Sequence, residues 1–391
     1  MNDRLAIDGG TPIRGSMLPY SHQTVDEQDV QSVVEVLRSD WLTTGPKVAE
    51  FERCLADTVG AVDAVSVSSG TAALHTAMFA LEIGPGDEVI VPAITFASTA
   101  NAVLFQGGRP IFADLNPDTL LLDPERVEAM ITPKTKAIIA VDYAGQPCDY
   151  DALRAVSDRH GLPLVADACH ALGGSYKDRP VGTLGDLNVF SFHPVKHVAA
   201  GEGGAVVTDD KGLAQRMRTF RNHGISTDHH QRARHGLHSY EMEYLGYNYR
   251  LSDIQCALAL SQLDKLPDSI RRRQAIAERY DTTLAETPTV TPLAVNSDVT
   301  HAYHIYPVQV DLDRDKIFAA LRAENIGVNV HYLPVYRHPY YQRQGYTKGL
   351  CPVAEAAYER MISLPIFPGM TDEDVGDVLT AVEKVVGYYL A

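Results

Sequence analysis

Short runs of apolar and β-branched residues alternate with segments of helical pattern through the first half of the chain. Five such runs lie at about residues 63–67, 87–91, 109–113, 136–141 and 163–167. Strands that alternate with helices usually form a parallel sheet covered on both faces. Two further runs, near 188–192 and 203–208, follow with short connections. The alternation therefore predicts an α/β fold, with a large domain built around a seven-stranded, mostly parallel sheet.

The pattern changes after Asp264, where the chain turns from this alternation to a charged helical segment and then to a strand-rich stretch. With 391 residues, 45% of them apolar, the chain can build more than one core. We therefore predict a large domain with an N-terminal arm over residues 1–265 and a smaller C-terminal α+β domain over residues 266–391. One helix over about 252–285 is predicted to bridge them.

Charge and apolar-run length exclude two classes of partner. The net charge is −16, with acids and bases interspersed, which argues against binding to nucleic acid. No apolar run approaches the roughly 18 residues that a membrane-spanning helix needs, and the first residues lack the hydrophobic segment of a signal peptide. We expect a cytoplasmic protein with no membrane partner. Its five cysteines are scattered without CxxC spacing and are predicted to be reduced thiols.

Two residues in the stretch from Asp167 to Gly204 indicate a cofactor site. Asp167 ends one apolar run, and Lys196 follows the end of another, before a glycine-rich turn leads into a third. If these strand ends meet, Lys196 is a nucleophile that can hold an aldehyde as a Schiff base, and Asp167 is a carboxylate that keeps a pyridine nitrogen protonated. The pair predicts pyridoxal 5'-phosphate (PLP) chemistry. Either residue alone would also fit an ordinary surface lysine or strand-end aspartate.

The segment SVSSGTAALHTAM at residues 66–78 has the order strand, small-residue turn and helix. This order places backbone N–H groups and hydroxyls at a helix N-terminus, where they favour a phosphate. Gly70 and Thr71 are the candidate ligands there, and Ser191, five residues before Lys196, is a third. Small residues also cap many ordinary helices, and the segment alone does not decide between the two interpretations.

Two aromatic side chains are further candidates. Phe96 follows the second predicted strand, so its ring can face the ligand crevice of a parallel sheet and stack on a flat heterocycle. A core phenylalanine is the alternative. His170 lies three residues after Asp167 and can hydrogen-bond a ring oxygen of the cofactor or the aspartate itself; a structural histidine is the alternative.

A group of histidines lies in the polar segment NHGISTDHHQRARHGLHSY. Its spacing fits no common metal site, and no carboxylate or cysteine pattern accompanies it. We therefore predict no metal, and expect a loop near the substrate entrance whose Arg232 and Arg234 can contact a diphosphate. The histidines are His223, His229, His230, His235 and His238.

Five segments resemble, in the same order, the signatures of the DegT/DnrJ/EryC1/StrS family of sugar aminotransferases. They are SSGTAAL, DACH, SFHPVK with GEGG, GYNYRLSDIQCALALSQLDKL and SLPIFPGMTDEDV. The resemblance covers nearly the whole chain and implies the PLP-dependent transferase fold (aspartate aminotransferase-like, fold type I). Within the family, VDYAGQP, DACHALGGSYKDRPVG and SFHPVKHVAAGEGGAVVTDD most resemble the members that aminate C4 of a UDP-linked 4-keto-6-deoxy-N-acetylhexosamine on the route to pseudaminic acid.

The resemblance implies a role for each candidate residue. Lys196 is the Schiff-base lysine, and Asp167 pairs with the pyridine nitrogen. Asn248, in GYNYR, matches an asparagine that the neighbouring subunit contributes to the cofactor phosphate, which implies a homodimer with shared active sites. The remaining cofactor residues are Gly70, Thr71 and Ser191 at the phosphate, Phe96 on the ring and His170 beside its phenolic oxygen.

Arg250 and His331 match positions near the amino-acid carboxylate and the nucleotide sugar. A structural ion pair for the arginine and an ordinary loop position for the histidine are the alternatives.

The resemblance implies transfer of an amino group from L-glutamate to a nucleotide 4-ketosugar by a ping-pong mechanism. The favoured substrate is UDP-2-acetamido-2,6-dideoxy-beta-L-arabino-hex-4-ulose; another 4- or 3-ketosugar, of GDP-perosamine or dTDP-sugar type, is the alternative. A PLP-dependent sugar dehydratase shares the fold, but it replaces the lysine with histidine, and position 196 is Lys. A non-catalytic, PLP-binding regulatory protein is a further alternative, although neither end of the chain resembles a DNA-binding or interaction module.

Overall fold

The structure is a computed structural model that describes residues 4–227, 236 and 238–391. Seven strands form the central sheet, and both ends of each lie within one residue of the predicted run. Two shorter strands, the sixth and seventh, lie outside that sheet. The first nine strands are β1 (Asp63–Val67), β2 (Glu88–Pro92), β3 (Arg109–Ala113), β4 (Thr135–Val141), β5 (Leu164–Asp167), β6 (Ser175–Tyr176), β7 (Arg179–Pro180), β8 (Leu187–Ser191) and β9 (Gly204–Thr208).

The central sheet has the strand order β1-β9-β8-β5-β4-β2-β3. Only β9 runs against its neighbours, and the other pairs are parallel. The predicted seven-stranded, mostly parallel sheet is therefore confirmed. Because the parallel strands point the same way, their carboxyl ends meet at one edge, where ligands bind in open α/β sheets.

Helices pack against this sheet and continue through the C-terminal part of the chain. In the described part of the chain, no helix is both long and apolar enough to cross a membrane. The helices are α1 (Glu27–Leu37), α2 (Pro46–Val59), α3 (Gly70–Ala80), α4 (Ser98–Phe105), α5 (Pro124–Met130), α6 (Tyr150–His160), α7 (Lys211–Arg221), α8 (Asp253–Asp264), α9 (Leu266–Leu284), α10 (Arg314–Ala323), α11 (Pro339–Arg343), α12 (Pro352–Arg360) and α13 (Asp372–Leu390).

The prediction of one bridging helix over 252–285 is wrong, because two helices, α8 and α9, meet at Lys265. Pro267 explains the break. In the first turn of α9 its missing N–H costs nothing, whereas inside one continuous helix its ring would clash with the carbonyl of Leu263.

A second, antiparallel sheet lies in the C-terminal part of the chain. Its strands are β10 (Val290–Pro292), β12 (Tyr306–Val310) and β13 (Met361–Leu364), while β11 (Val299–Thr300) pairs with β6. This sheet packs with α10 and α13 in a hydrophobic cluster of its own, which also takes in Leu5. The larger cluster, in turn, takes in Tyr336 and Tyr341. Because the buried residues do not divide at one chain position, the domain limits 1–265 and 266–391 stay a prediction.

Candidate active site

A cavity of about 680 Å³ opens at the carboxyl edge of the central sheet. Asp167 ends β5, Ser191 ends β8, and Ser68 directly follows β1. The sheet therefore brings side chains from distant parts of the chain to one wall. Eight of the ten predicted site residues line this cavity: Gly70, Thr71, Phe96, Asp167, His170, Ser191, Lys196 and His331.

Lys196 lies in the turn that follows β8 and is half-buried in the cavity wall. Its Nζ is 3.2 Å from Nε2 of His304. Burial lowers the pKa of Lys196 to about 8; the nearby Cys169 and Asp167 partly oppose this shift, and Arg273 adds to it. A lowered pKa increases the fraction of neutral, nucleophilic amine near neutral pH.

Asp167 is buried, and its carboxylate accepts hydrogen bonds from Thr99, in another segment, and from Cys169, two residues further along the chain. Thr99 Oγ1 donates to Oδ2 at 2.7 Å, and the hydroxyls of Thr95 and Thr99 are themselves 2.7 Å apart. The backbone N–H of Cys169 donates to Oδ1 at 3.4 Å. These contacts hold the carboxylate against the cavity, where it can accept a hydrogen bond from a ligand N–H.

The start of α3 forms a cradle that suits an anion. Ser69 caps the helix and accepts the N–H of Ala72 at 3.1 Å, while the N–H groups of Gly70 and Thr71 belong to the first turn and have no acceptor within the helix. A Cβ at Gly70 would lie 2.8 Å from Cβ of Ser191. Glycine therefore allows the helix N-terminus and the end of β8 to approach closely, so that both face a phosphate placed between them.

Phe96 and His170 occupy different environments in the cavity wall. Phe96 is 58% exposed, with its ring 6.1 Å from that of Tyr332, so the interpretation as a core phenylalanine is wrong. His170 is buried, and its Nε2 lies 3.4 Å from the hydroxyl of Tyr332. Burial holds the pKa of His170 well below its ordinary value, so the imidazole is neutral at neutral pH.

His331 is buried in the wall on the side of the C-terminal sheet. Its Nδ1 lies 2.9 Å from Oγ of Ser363 and its Nε2 lies 3.2 Å from Nδ2 of Asn329, while its carbonyl accepts the hydroxyl of Tyr143. Burial lowers the pKa of His331 to about 4. The side chain is therefore a fixed, neutral group at the cavity.

The structure does not place Asn248 or Arg250 in this cavity. Asn248 is exposed and pairs through its backbone with Asn222. Arg250 donates to Oδ1 of Asn222 at 2.9 Å and lines a second cavity of about 880 Å³ with Arg218 and Arg221. A role for Asn248 or Arg250 at the PLP site would therefore have to be played in the site of another subunit, and it stays a prediction.

The sequence analysis missed Asp142, Thr99 and His304, each of which contacts Asp167 or Lys196. Asp142 directly follows β4 and is fully buried, with its pKa raised to about 7 by burial and further by the charge of Asp167. Its place after a strand is the same signal that pointed to Asp167. Thr99 and His304 had no such signal, because each reaches its partner only through the tertiary fold.

Part of the histidine-rich segment can be described. His223 and His238 lie among the described residues, where no group of three or more His, Cys, Asp or Glu is arranged to hold a metal. The other predicted residues of this segment, His229, His230, His235, Arg232 and Arg234, lie outside the described residues.

Residues 23–383 match the DegT/DnrJ/EryC1/StrS aminotransferase family. The chain belongs to this family. As a family member it has the fold of the PLP-dependent aminotransferases, and it is a sugar aminotransferase whose cofactor is PLP.

Three relatives of this aminotransferase span nearly all of it. The spore coat polysaccharide biosynthesis protein SpsC of Bacillus subtilis is 45% identical over 381 residues, which cover 95% of this chain and 98% of SpsC. The protein Spr1654 of Streptococcus pneumoniae, solved in its PLP form, has a TM-score of 0.90 at 33% identity and covers 96% of this chain and 100% of its own. PseC of Helicobacter pylori is an aminotransferase involved in the biosynthesis of pseudoaminic acid. It has a TM-score of 0.89 at 33% identity, and the match covers 95% of this chain and 100% of the PseC chain.

The cavity of this aminotransferase suits PLP part by part. The start of α3 suits the phosphate of PLP, and the exposed ring of Phe96 can stack on the pyridine ring. The carboxylate of Asp167 suits the ring nitrogen, and the amine of Lys196 suits the aldehyde. When bound, PLP supplies an aldehyde that combines with amines and a protonated ring that withdraws electrons.

Proposed function

We propose that the enzyme moves an amino group from L-glutamate to C4 of a nucleotide-linked 4-keto-6-deoxy sugar by a ping-pong mechanism. The proposed acceptor is UDP-2-acetamido-2,6-dideoxy-beta-L-arabino-hex-4-ulose. The observation that carries the reaction type is the joint presence of Lys196, Asp167 and the α3 cradle in one cavity.

Each of these groups has one task in the proposed reaction. With PLP bound, Nζ of Lys196 would take the proton from the α carbon of glutamate in the first half-reaction and would deliver a proton to C4 of the sugar in the second. The carboxylate of Asp167 keeps the ring nitrogen protonated. The N–H groups at the start of α3 and Oγ of Ser191 would hold the phosphate and so fix the orientation of the cofactor relative to Lys196.

The proposed UDP-linked acceptor is supported by the similarity to PseC, which acts in pseudoaminic acid biosynthesis. A second candidate acceptor is a different nucleotide 4-ketosugar used for a surface polysaccharide. It is supported by the higher identity to SpsC, 45% against 33% for PseC. A hydrophobic cavity wall cannot by itself discriminate strongly between such sugars, so polar contacts must select one.

We further propose that the enzyme works as a homodimer in the cytoplasm, with Asn248 completing the site of the partner subunit. The exposure of Asn248 outside the cavity of its own chain supports this arrangement.

The test is product analysis by mass spectrometry after incubation with glutamate and, in turn, UDP-, GDP- and dTDP-linked 4-ketosugars. We expect the amino sugar with the UDP-linked N-acetyl substrate, and 2-oxoglutarate in equal amount. The matched control is Lys196→Ala, which should form neither product. Amination of only a GDP- or dTDP-linked sugar would replace the proposed acceptor, and loss of a sugar hydroxyl without gain of nitrogen would indicate a dehydratase.

A further inference from the structure

His304 contacts Lys196 but has no role in the proposed reaction. In the described part of the chain, Nε2 of His304 at 3.2 Å is the hydrogen-bond partner of Nζ of Lys196. Lys196 belongs to the turn after β8, whereas His304 lies just before β12. The contact therefore joins the central sheet to the segment that enters the C-terminal sheet.

The backbone around His304 is held tightly in place. Its N–H donates to the carbonyl of Ala144 at 2.8 Å, and the N–H of Ala302 donates to the carbonyl of Gly145 at 2.9 Å. Gly145 has φ +109°, and a Cβ there would lie 2.7 Å from the backbone nitrogen of Tyr303. Only glycine allows this close approach, so the turn after β4 sets the position of the imidazole.

A buried arginine fixes the same segment from the other side. Nη1 of Arg273 donates to the carbonyls of Tyr303 and Ile366 at 3.0 Å, and to that of His304 at 3.4 Å. Arg273 is 1% exposed, and within the described chain it makes no salt bridge. Its positive charge therefore disfavours additional positive charge on Lys196 and His304, whose pKa values it helps to lower.

The surroundings keep the imidazole of His304 neutral. The ring of His170 lies 4.3 Å from it and that of His197 lies 5.7 Å from it, both centroid to centroid. Burial holds the pKa of His304 well below its ordinary value, and the charges of Lys196 and Arg273 act in the same direction. A neutral imidazole can accept a hydrogen bond at Nε2 from an ammonium or amine group.

We propose that His304 is the positioning residue of Lys196, accepting a hydrogen bond from Nζ and holding the amine at the cavity whenever it is not bonded to the cofactor. The proposal rests on the proposed role of Lys196. In each half-reaction the released amine must carry a proton between two carbons, and a lysine side chain has four rotatable bonds that would otherwise let it turn away. One fixed acceptor removes that freedom.

The test compares His304→Gln, in which a side-chain oxygen can replace the acceptor, with His304→Leu, which fills similar space without one. The first measurement uses the full chain freed of PLP. Lys196 is acetylated by trace acetic anhydride across pH 6–11, and its peptide is quantified by mass spectrometry. Because a hydrogen bond to the charged form favours that form, we expect the pKa of Lys196 to be about one unit lower in His304→Leu than in His304→Gln.

Among the described residues, the other titratable groups that act on Lys196 are Asp167, Cys169 and Arg273, together with His170, His197 and His331, and both variants leave all of them unchanged. The second measurement is turnover of the PLP-bound enzyme. We expect kcat to fall at least about tenfold in His304→Leu, with KM little changed, and to recover in large part in His304→Gln.

Equal pKa values for Lys196 in the two variants would overturn the proposal, as would equal losses of kcat. If His304→Leu does not fold, His304→Met takes its place, because a thioether is only a weak acceptor. The labelling needs no sugar, so its outcome is independent of the proposed acceptor. A shifted lysine pKa with no amination of any ketosugar would refute the proposed function and leave this inference standing.

Discussion

Replacing Gly70 by alanine tests the phosphate cradle directly. The added Cβ would lie 2.8 Å from Cβ of Ser191, which is 0.6 Å short of the 3.4 Å where ordinary contact begins. Ser191 cannot easily give way, because it ends β8 and pairs with Gly204 of β9. The start of α3 must therefore move, and its N–H groups move with it.

The expected cost has two parts. Overpacking of this kind typically lowers the free energy of unfolding by about 1–3 kcal/mol. Loss of one hydrogen bond to a charged phosphate costs about 1.5–3 kcal/mol, which corresponds to a PLP dissociation constant roughly 10- to 150-fold higher. We expect both effects in Gly70→Ala.

The matched control is Gly387→Ala. Gly387 lies in α13, is exposed, and an added Cβ there would meet nothing within 4 Å. The same substitution should therefore stabilise this helix by about 0.5–1 kcal/mol and leave PLP binding unchanged. Urea unfolding of the PLP-free protein and titration with PLP measure the two quantities. A Gly70→Ala protein that binds PLP within twofold of the parent would refute the assignment of the cradle.

Four further predictions concern residues around the cavity. Lys196→Ala should retain less than about 1% of turnover with an unchanged unfolding transition, because both the nucleophile and the proton carrier are lost. Asn248→Asp places a negative charge against the phosphate and should be inactive, yet mixing it with Lys196→Ala should restore activity, because some heterodimers then hold one intact site. Thr99→Val removes the donor to Asp167 and should weaken PLP binding roughly tenfold in a PLP titration. Asp142→Asn should raise the free energy of unfolding at pH 8 but not at pH 4, as measured by urea unfolding.

Each of the first three has its own control. For Lys196→Ala, circular dichroism must match the parent protein. For the mixture, subunit exchange must be verified first; exchange without recovered activity would place Asn248 away from the partner's site. For Thr99→Val, the control is Thr282→Val, on the exposed side of α9, where the hydroxyl donates to the carbonyl of Glu278. Equal PLP affinity in the two threonine variants would contradict a role for Thr99.

The central sheet could be predicted because each of its strands is a short buried run bounded by turn residues, and this pattern is local. Asp167 and Lys196 were found for the same reason, since residues at strand ends in an α/β sheet meet at one edge whatever the remaining packing. The break at Lys265 was within reach of the same reasoning, because Pro267 stands in the sequence and disfavours one continuous helix.

Other parts of the site depend on contacts that no local pattern encodes. Thr99 meets Asp167 across 68 residues, and His304 meets Lys196 across 108. His304 reaches the cavity because Gly145 permits a close backbone approach, a geometric fact that appears only once both segments are folded. Sequence reasoning therefore placed Asp167 and Lys196 in one cavity, as the structure has them, and missed the residues that contact them.

Asp142 is a buried acid that contacts the backbone of Asp167. Its N–H donates to the carbonyl of Asp167 at 3.1 Å, and its Oδ1 accepts the N–H of Cys148 at 3.0 Å and the hydroxyl of Tyr150 at 2.8 Å. Burial, and then the charge of Asp167, raises the pKa of Asp142 from its ordinary 3.8 to about 7. Between about pH 4 and pH 7, Asp142 is protonated in the folded protein but ionised in the unfolded chain. The free energy of unfolding therefore falls as the pH rises through this range. Asparagine mimics the protonated acid at every pH. The free energy of unfolding of Asp142→Asn should therefore exceed that of the parent by about 4 kcal/mol at pH 8 and by almost nothing at pH 4. Parallel stability profiles for the two proteins across this range would show that Asp142 is already ionised in the fold.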